Sequence, residues 1–366
     1  TITKDTLLRI NGANKPVRIG HLLSLQGKEH SDTDEGMPGD ICGVAKVDNV
    51  VLGAVMHESA DDALAYAGPA FPTPMFGLAI EAKSRGDEAK ISKALTGVDA
   101  EDPCFLIERN AATNETVVRG MGDMHLRIIL EKMKNRYNVE VATKPPKIAY
   151  RETVLAKAEG HHRHKKQTGG AGQFGEVYLR IEPLERGAGF EFSNDIFGGS
   201  IPSQFIPAIE KGVRQAMADG VIAGYAVQDM KVSVYDGKHH PVDSKEVAFV
   251  AAGKRAFMDA VQKAKPVLLE PIVDAEITIP SANVGDITGD LSGKRGRIQG
   301  TDMLAGDMSV ITAQVPLAEM MTYQSQLKSV TGGQGSFAME FSHYETVPSN
   351  VQQTIVAQYK PKAEED

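Results

Sequence analysis

Three glycines in "KKQTGGAGQFGEVYL" (165–179) are spaced as if to hold a phosphate. Gly170, Gly172 and Gly175 fit G-x-G-x-x-G, and Val177 extends the pattern to G-x-G-x-x-G-x-V. At that spacing backbone N–H groups close over ATP in protein kinases or meet the pyrophosphate of a dinucleotide. The flanks decide against both. A dinucleotide turn follows an apolar strand and opens a helix whose N-terminus holds the pyrophosphate. Here "HHRHKKQ" precedes the glycines, and the alternating, strand-like "EVYLRIEPL" follows them. A kinase also needs a lysine on the next strand, an H-R-D-type loop and D-F-G. "RIEPLERGAG" has no such lysine, and HRD, DFG and APE occur nowhere.

Other chemistry is sparse. No G-x-x-x-x-G-K-[ST] exists; "GDLSGKRG" (289–296) comes closest, but Arg295 follows Lys294 where a hydroxyl would reach a metal. His161, His162 and His164 with His239 and His240 are candidate metal ligands, yet no Cys or carboxylate cluster completes a site. A solvated basic loop is the simpler reading. Asp32, Asp34 and Glu35 begin like a calcium loop without its later ligands. His57-Glu58 lacks the second histidine of a zinc protease, and no Ser-His-Asp or Cys-His set stands out.

The glycine segment reads better as a surface loop that meets RNA. Arg163, Lys165 and Lys166 attract phosphate, Gln167 and Thr168 add neutral hydrogen bonds, and the glycines let the main chain approach closely. "YDGKHHPVDS" (235–244) has the same character, with Lys238, His239 and His240. Net charge is −8, so an RNA partner must be met by a local basic surface.

These loops need elements to hold them. A chain of 366 residues exceeds what one core usually serves, so two to four domains are expected. Two distant cysteines exclude a disulfide framework and point to a reducing, cytoplasmic home. No apolar run is long enough to span a membrane. The first residues start inside a strand-like pattern without Met, so the chain is expected to be a piece of a longer protein, cut upstream.

Residues 1–68 are short alternating segments split by turns, the pattern of a partial β-barrel. Residues 75–141 read strand, helix, strand, strand, helix, strand, and the same βαββαβ order recurs from 272 to 343. Between them a mixed domain carries a helix over 202–219, with Phe205, Ile209, Val213 and Met217 on one face. A second helix runs from an N-cap at Ser244 to Lys263 and buries Val247, Val250, Phe257 and Val261. The last residues, 360–366, are polar and expected to be disordered.

"QTGGAGQFGEV", "YDGKHHPVDSKEVAF", "GMGDMHLRI" (120–128), "KPPKIAYRETV" (144–154), "GDITGDLSGKRGRIQG" (285–300) and "VPLAEMMTYQSQLKSVTGGQGSFAMEFSHYE" (315–345) resemble bacterial elongation factor G, in order and over nearly the whole chain. The departures resemble the divergent elongation-factor-G-like paralogues. Ala171 and Phe174 stand where the family usually has Arg and Tyr, and Asp123, Met124 and Arg127 replace Glu, Leu and Glu. In domain V, Thr322-Tyr323-Gln324 and Gly333-Gln334 replace Gly-Tyr-Ala and an Arg-containing turn.

The resemblance implies a multidomain α+β fold. Residues 1–68 would be part of the domain II barrel, 73–144 ferredoxin-like domain III, 145–266 domain IV, 267–350 ferredoxin-like domain V and 351–366 a tail. Domain IV would have a ribosomal-protein-like fold with a left-handed βαβ crossover. The resemblance also implies a monomeric factor whose partners are the ribosome, its rRNA and the tRNA-mRNA of the decoding region. GTP and Mg²⁺ would belong to a GTPase domain upstream, with no cofactor, metal or catalytic residue in this chain. Its RNA-facing residues would be Lys165, Lys166, Gln167, Thr168, Gly169, Gly170, Gly172, His240, Asp243 and Ser244 at the tip of domain IV, and Lys294, Arg295, Ser329 and Gln334 in domain V.

Overall fold

The first 68 residues are too often interrupted by turns to build long strands, and their strands run two to six residues. The computed structural model describes residues 1–10, 16–47, 50–58, 66–84, 86–167 and 172–359. They form two compact units. One comprises Thr1–Pro74, Glu81–Ile107 and Val118–Ala142; the other comprises Met75–Ile80, Glu108–Val117 and the chain from Thr143 onward.

In the first unit Leu7–Ile10 lies between Val17–Arg18 and Met56–His57, and His21–Gln26 between Glu29–Asp32 and Cys42–Ala45. Leu8, Ile10, Ile19 and Leu22 are buried. Among the described residues no sheet closes, as expected of a partial barrel. Helices Glu88–Asp99 and Asp123–Tyr137 bury Ala94, Leu95 and Val98, and Leu126, Ile129 and Met133. The second helix ends on Asn138 in the left-handed conformation. Phe76–Ala82, Leu106–Asn110, Glu115–Gly120 and Val141–Lys144 form one sheet in the order second, third, first, fourth. That is the ferredoxin-like order.

The second unit carries two larger sheets. In one, Ala158–Lys166, Gln173–Pro183 and Met230–Lys238 run antiparallel, and Phe190–Asn194 lies parallel to Met230–Lys238 at the far edge. Helix Ile206–Asp219 connects that parallel pair as a βαβ crossover. It packs with helix Glu246–Lys263 over Val177, Leu179, Ile181, Val232 and Val234. Phe205, Ile209, Val213 and Met217 are buried as their spacing predicts, and Gly220 ends the helix.

Three expectations here are corrected. "HHRHKK" is not a loop: it forms most of the edge strand Ala158–Lys166. Ser244 does not cap the following helix, which starts at Glu246 behind Lys245 without a side-chain cap. Val247 is 63% exposed, because the helix turns its Ala248, Phe249, Ala252 and Ala256 side to the sheet.

In the other sheet Pro266–Pro280, Arg297–Leu304, Met308–Pro316 and Ser336–Thr346 take the order fourth, first, third, second, again ferredoxin-like. The predicted helix over 319–329 is two helices, Leu317–Met320 and Tyr323–Val330. Pro266–Pro280 is 15 residues long. Its first four residues pair with Arg151–Val154, and the rest pair with Met308–Pro316 and Ser336–Thr346. The expected tail 351–366 is corrected as well, because Ser349–Gln358 is a helix. Its Val351, Ile355 and Val356 pack on Ala223, Leu268 and Val347. Residues 360–366 lie outside the described residues.

Candidate nucleic-acid interface

The strands Ala158–Lys166 and Gln173–Pro183 pair without a break up to Lys165 opposite Phe174 and Lys166 opposite Gln173. The residues between them are 167–172. Gln167, the first of them, is exposed. Thr168, Gly169 and Gly170 lie outside the described residues, as does Ala171.

The segment after Met230–Lys238 is fastened to this hairpin through main chain. Phe174 N–H donates to the Asp243 carbonyl at 2.9 Å, and the Ser244 hydroxyl donates to the Phe174 carbonyl at 2.9 Å. Ser244 Oγ also accepts from His240 N–H at 2.8 Å. A Cβ on Gly172 would stand 2.8 Å from the Asp243 carboxylate, so any side chain there would make Asp243 give way. Gly172, His240, Asp243 and Ser244 thus lie together. Gly175 faces the Ala248 backbone, where an added Cβ would approach to 3.2 Å. It is a packing glycine, not a phosphate glycine.

His240 Nδ1 lies 3.3 Å from Val242 N–H and 3.2 Å from Asp243 N–H. A nitrogen that accepts two N–H groups carries no proton, so the neutral ring holds its hydrogen on Nε2. Asp243 Oδ2 lies 3.4 Å from the same Nδ1 and is a weaker match than the two donors. The exposed Nε2–H is a donor available to an acceptor outside the protein.

Arg163, Lys165, Lys166, Lys238 and Lys245 are all exposed, and among the described residues none forms an ion pair. Arg163 stacks over Phe174, 5.2 Å from the ring centre. Phe174 was not singled out as a site residue; its alternation with Glu176 and Tyr178 was the available signal. The domain V residues divide differently. Lys294 pairs with Asp290 at 3.4 Å. Arg295 is clamped between Glu270 and Glu319, with Nη2 3.0 Å from Glu270 Oε2 and 3.1 Å from Glu319 Oε1. Ser329 and Gln334 are exposed.

The histidines do not converge on a metal. Successive strand residues face opposite sides. His161 lies on the open face and bonds Glu176 at 2.9 Å, while His162 faces the helices. His239 Nδ1 meets the Ser200 carbonyl. Among the described residues no group of three potential ligands exists. Burial, then the nearby Arg255, His164 and His161, push the His162 imidazole below its ordinary value, against a smaller opposing effect of Asp259. His162 therefore takes up a proton less readily folded than unfolded. Acidification through the ordinary imidazole range near pH 6.5 favours the unfolded chain. Melting at pH 7.5 and 5.5 should show a smaller acid-induced loss in His162→Gln than in the wild type.

Sequence profiles of elongation factor G match this architecture piece by piece: domain III over 71–145, domain IV over 146–265 and the C-terminus over 267–355. The chain belongs to the elongation factor G family. Both joined tip segments fall within the family's domain IV match. The chain is 42% identical over 348 residues to an elongation factor G-like protein of Thermotoga maritima, covering 95% of this chain and 51% of that one. A crystal structure of a Thermus thermophilus protein superposes with a TM-score of 0.80 at 38% identity, over 98% of this chain and 53% of that one. The chain spans about half the length of these two relatives. No described helix is long and apolar enough to cross a membrane.

Proposed function

We propose that this chain is the ribosome-facing portion of a monomeric, cytoplasmic translational GTPase that moves tRNA and mRNA by one codon. GTP and Mg²⁺ are assigned to the family's GTPase domain, outside this sequence. The observation that carries the reading is the gathering of five exposed cations, unpaired among the described residues, around segments 172–174 and 240–244, in a chain of net charge −8. Such a basic tip on an acidic body attracts a phosphate backbone locally while the body repels it.

Co-sedimentation with ribosomes tests the binding. The chain should pellet at low salt and release as salt rises. The triple variant Lys165→Ala, Lys166→Ala, Lys238→Ala should bind more weakly, with a salt slope shallower by about one per lost phosphate contact. No binding at low salt, or an unchanged slope, would sink the reading. In the full-length protein His240→Ala should slow tRNA movement and leave GTP hydrolysis nearly intact; equal loss of both counts against a tip role.

A second reading is a ribosome-binding paralogue with a regulatory, recycling or protective role. It is favoured by Ala171 and Phe174, which remove a cation and a hydroxyl from the tip. Ribosome-stimulated GTP hydrolysis without tRNA movement would select it.

A further inference from the structure

The helices cover one face of the sheet built by Ala158–Lys166, Gln173–Pro183 and Met230–Lys238. Strand register assigns residues to the other face. His161 lies opposite Tyr178, Arg163 opposite Glu176, Lys165 opposite Phe174 and Glu176 opposite Lys238. Directly opposed residues share a face. Planar groups are layered there in pairs. The His161 imidazole is stacked on Tyr178 at 4.1 Å and 23°. The guanidinium groups of Arg163 and Arg180 lie 5.2 Å and 5.0 Å from the ring centres of Phe174 and Tyr235. His161, Arg163 and Arg180 are exposed, and the rings beneath them are half-buried.

The carboxylates of this face are largely engaged within the sheet. Arg180 and Tyr235 hold Glu159, His161 holds the buried Glu176, and Lys157 holds Glu182. Asp236 accepts from Gly237 N–H. Toward the turn the face ends in Arg163, Lys165 and Lys238, unpaired among the described residues. Cations are thus free at the turn, and flat faces are presented along the strands.

We propose that this open sheet face binds unpaired RNA bases by stacking them on His161, Arg163 and Arg180, with the lysines beside the turn holding the phosphates. Imidazole and guanidinium planes over aromatic rings are the surfaces on which splayed bases stack. His161 and Arg163 are two residues apart on one strand, about 7 Å. Bases stacked on each other are only about 3.4 Å apart, so each plane takes a separate, splayed base. The proposal deepens the ribosome-facing reading by naming single-stranded RNA as a ligand of the same domain, on the sheet face that adjoins segment 240–244 at Phe174.

The test is fluorescence anisotropy of the whole chain with a labelled 12-residue oligouridylate and an abasic ribose-phosphate oligomer of the same length. Arg163→Lys and Arg180→Lys keep charge and aliphatic stem but remove the plane. Each should weaken oligouridylate binding about fivefold, the low end of stacking by one base, and leave abasic binding unchanged. Equal weakening for both oligomers, no weakening, or no wild-type binding to oligouridylate at low salt would overturn the proposal. Ultraviolet crosslinking is the second measurement: adducts within 159–163 and 174–180 support the site, and adducts confined to other segments refute it. Arg180→Lys, outside the five tip cations, should keep salt-dependent ribosome pelleting, so failure here leaves the tip reading standing, and loss of pelleting in the lysine variant leaves this one standing.

Discussion

Glu152→Gln is expected to cost about 3 kcal/mol, the upper end for leaving buried hydrogen-bonding groups without a partner. Glu152 is fully buried in the strand Arg151–Val154. One carboxylate oxygen accepts from Val221 N–H at 2.6 Å and Ile222 N–H at 3.0 Å. The other accepts from Ala223 N–H at 2.8 Å and Tyr225 N–H at 3.1 Å. Gln keeps the shape but turns one acceptor into a donor aimed at two N–H groups. Those donors are then buried without a partner, which costs more than the bonds contributed. Segment 221–225 also supports the C-terminal helix through Ala223. Amide hydrogen exchange should therefore accelerate at 221–225 and then over 351–356. Unchanged protection of Val221 and Ala223 in the variant would mean that the carboxylate does not hold this segment.

Gly160→Ala is expected to destabilise the tip domain by about 3 kcal/mol, the upper end for overpacking. Its Cβ would lie 2.1 Å from the Ala256 carbonyl oxygen and 2.6 Å from the Ala260 nitrogen. Both belong to the backbone of helix Glu246–Lys263, so no side chain can turn aside. Gly172→Ala is the comparison. Its Cβ meets the end of the Asp243 side chain, which can rotate, so its cost is smaller and confined to the turn. Denaturant midpoints of the two variants should rank in that order. A Gly160→Ala protein as stable as the wild type would refute the close approach of strand and helix.

Both βαββαβ units were legible in the sequence because their helices carry apolar residues at helical spacing and their strands alternate. The edge strand Ala158–Lys166 was not. Where it passes under the helix it places Gly160 and His162, and elsewhere it faces water with charged residues. No apolar alternation marks such a strand, and charge along an exposed edge reads as a loop. The helix Ser349–Gln358 was hidden for a related reason. Its three apolar contacts gain their meaning from Leu268 and Val347, residues of other segments. At the candidate interface the cations and the second segment were legible by composition. The hydrogen bonds that join Phe174 to Asp243 and Ser244 span about seventy residues and leave no local trace. For the same reason the carboxylates that occupy Arg295 could not be read beside it: Glu270 and Glu319 are 25 and 24 residues away.

The strand Pro266–Pro280 has a mechanical consequence. It begins paired to Arg151–Val154, at the entrance to the tip domain, and continues as an inner strand of the C-terminal sheet. At about 3.3 Å per residue it is a girder roughly 50 Å long, and its first four residues brace Arg151–Val154 of the preceding family domain. Torque applied to the C-terminal sheet reaches the base of the hairpin through hydrogen bonds already in place. Those bonds tie the C-terminal sheet to the strand that leads into the cationic hairpin.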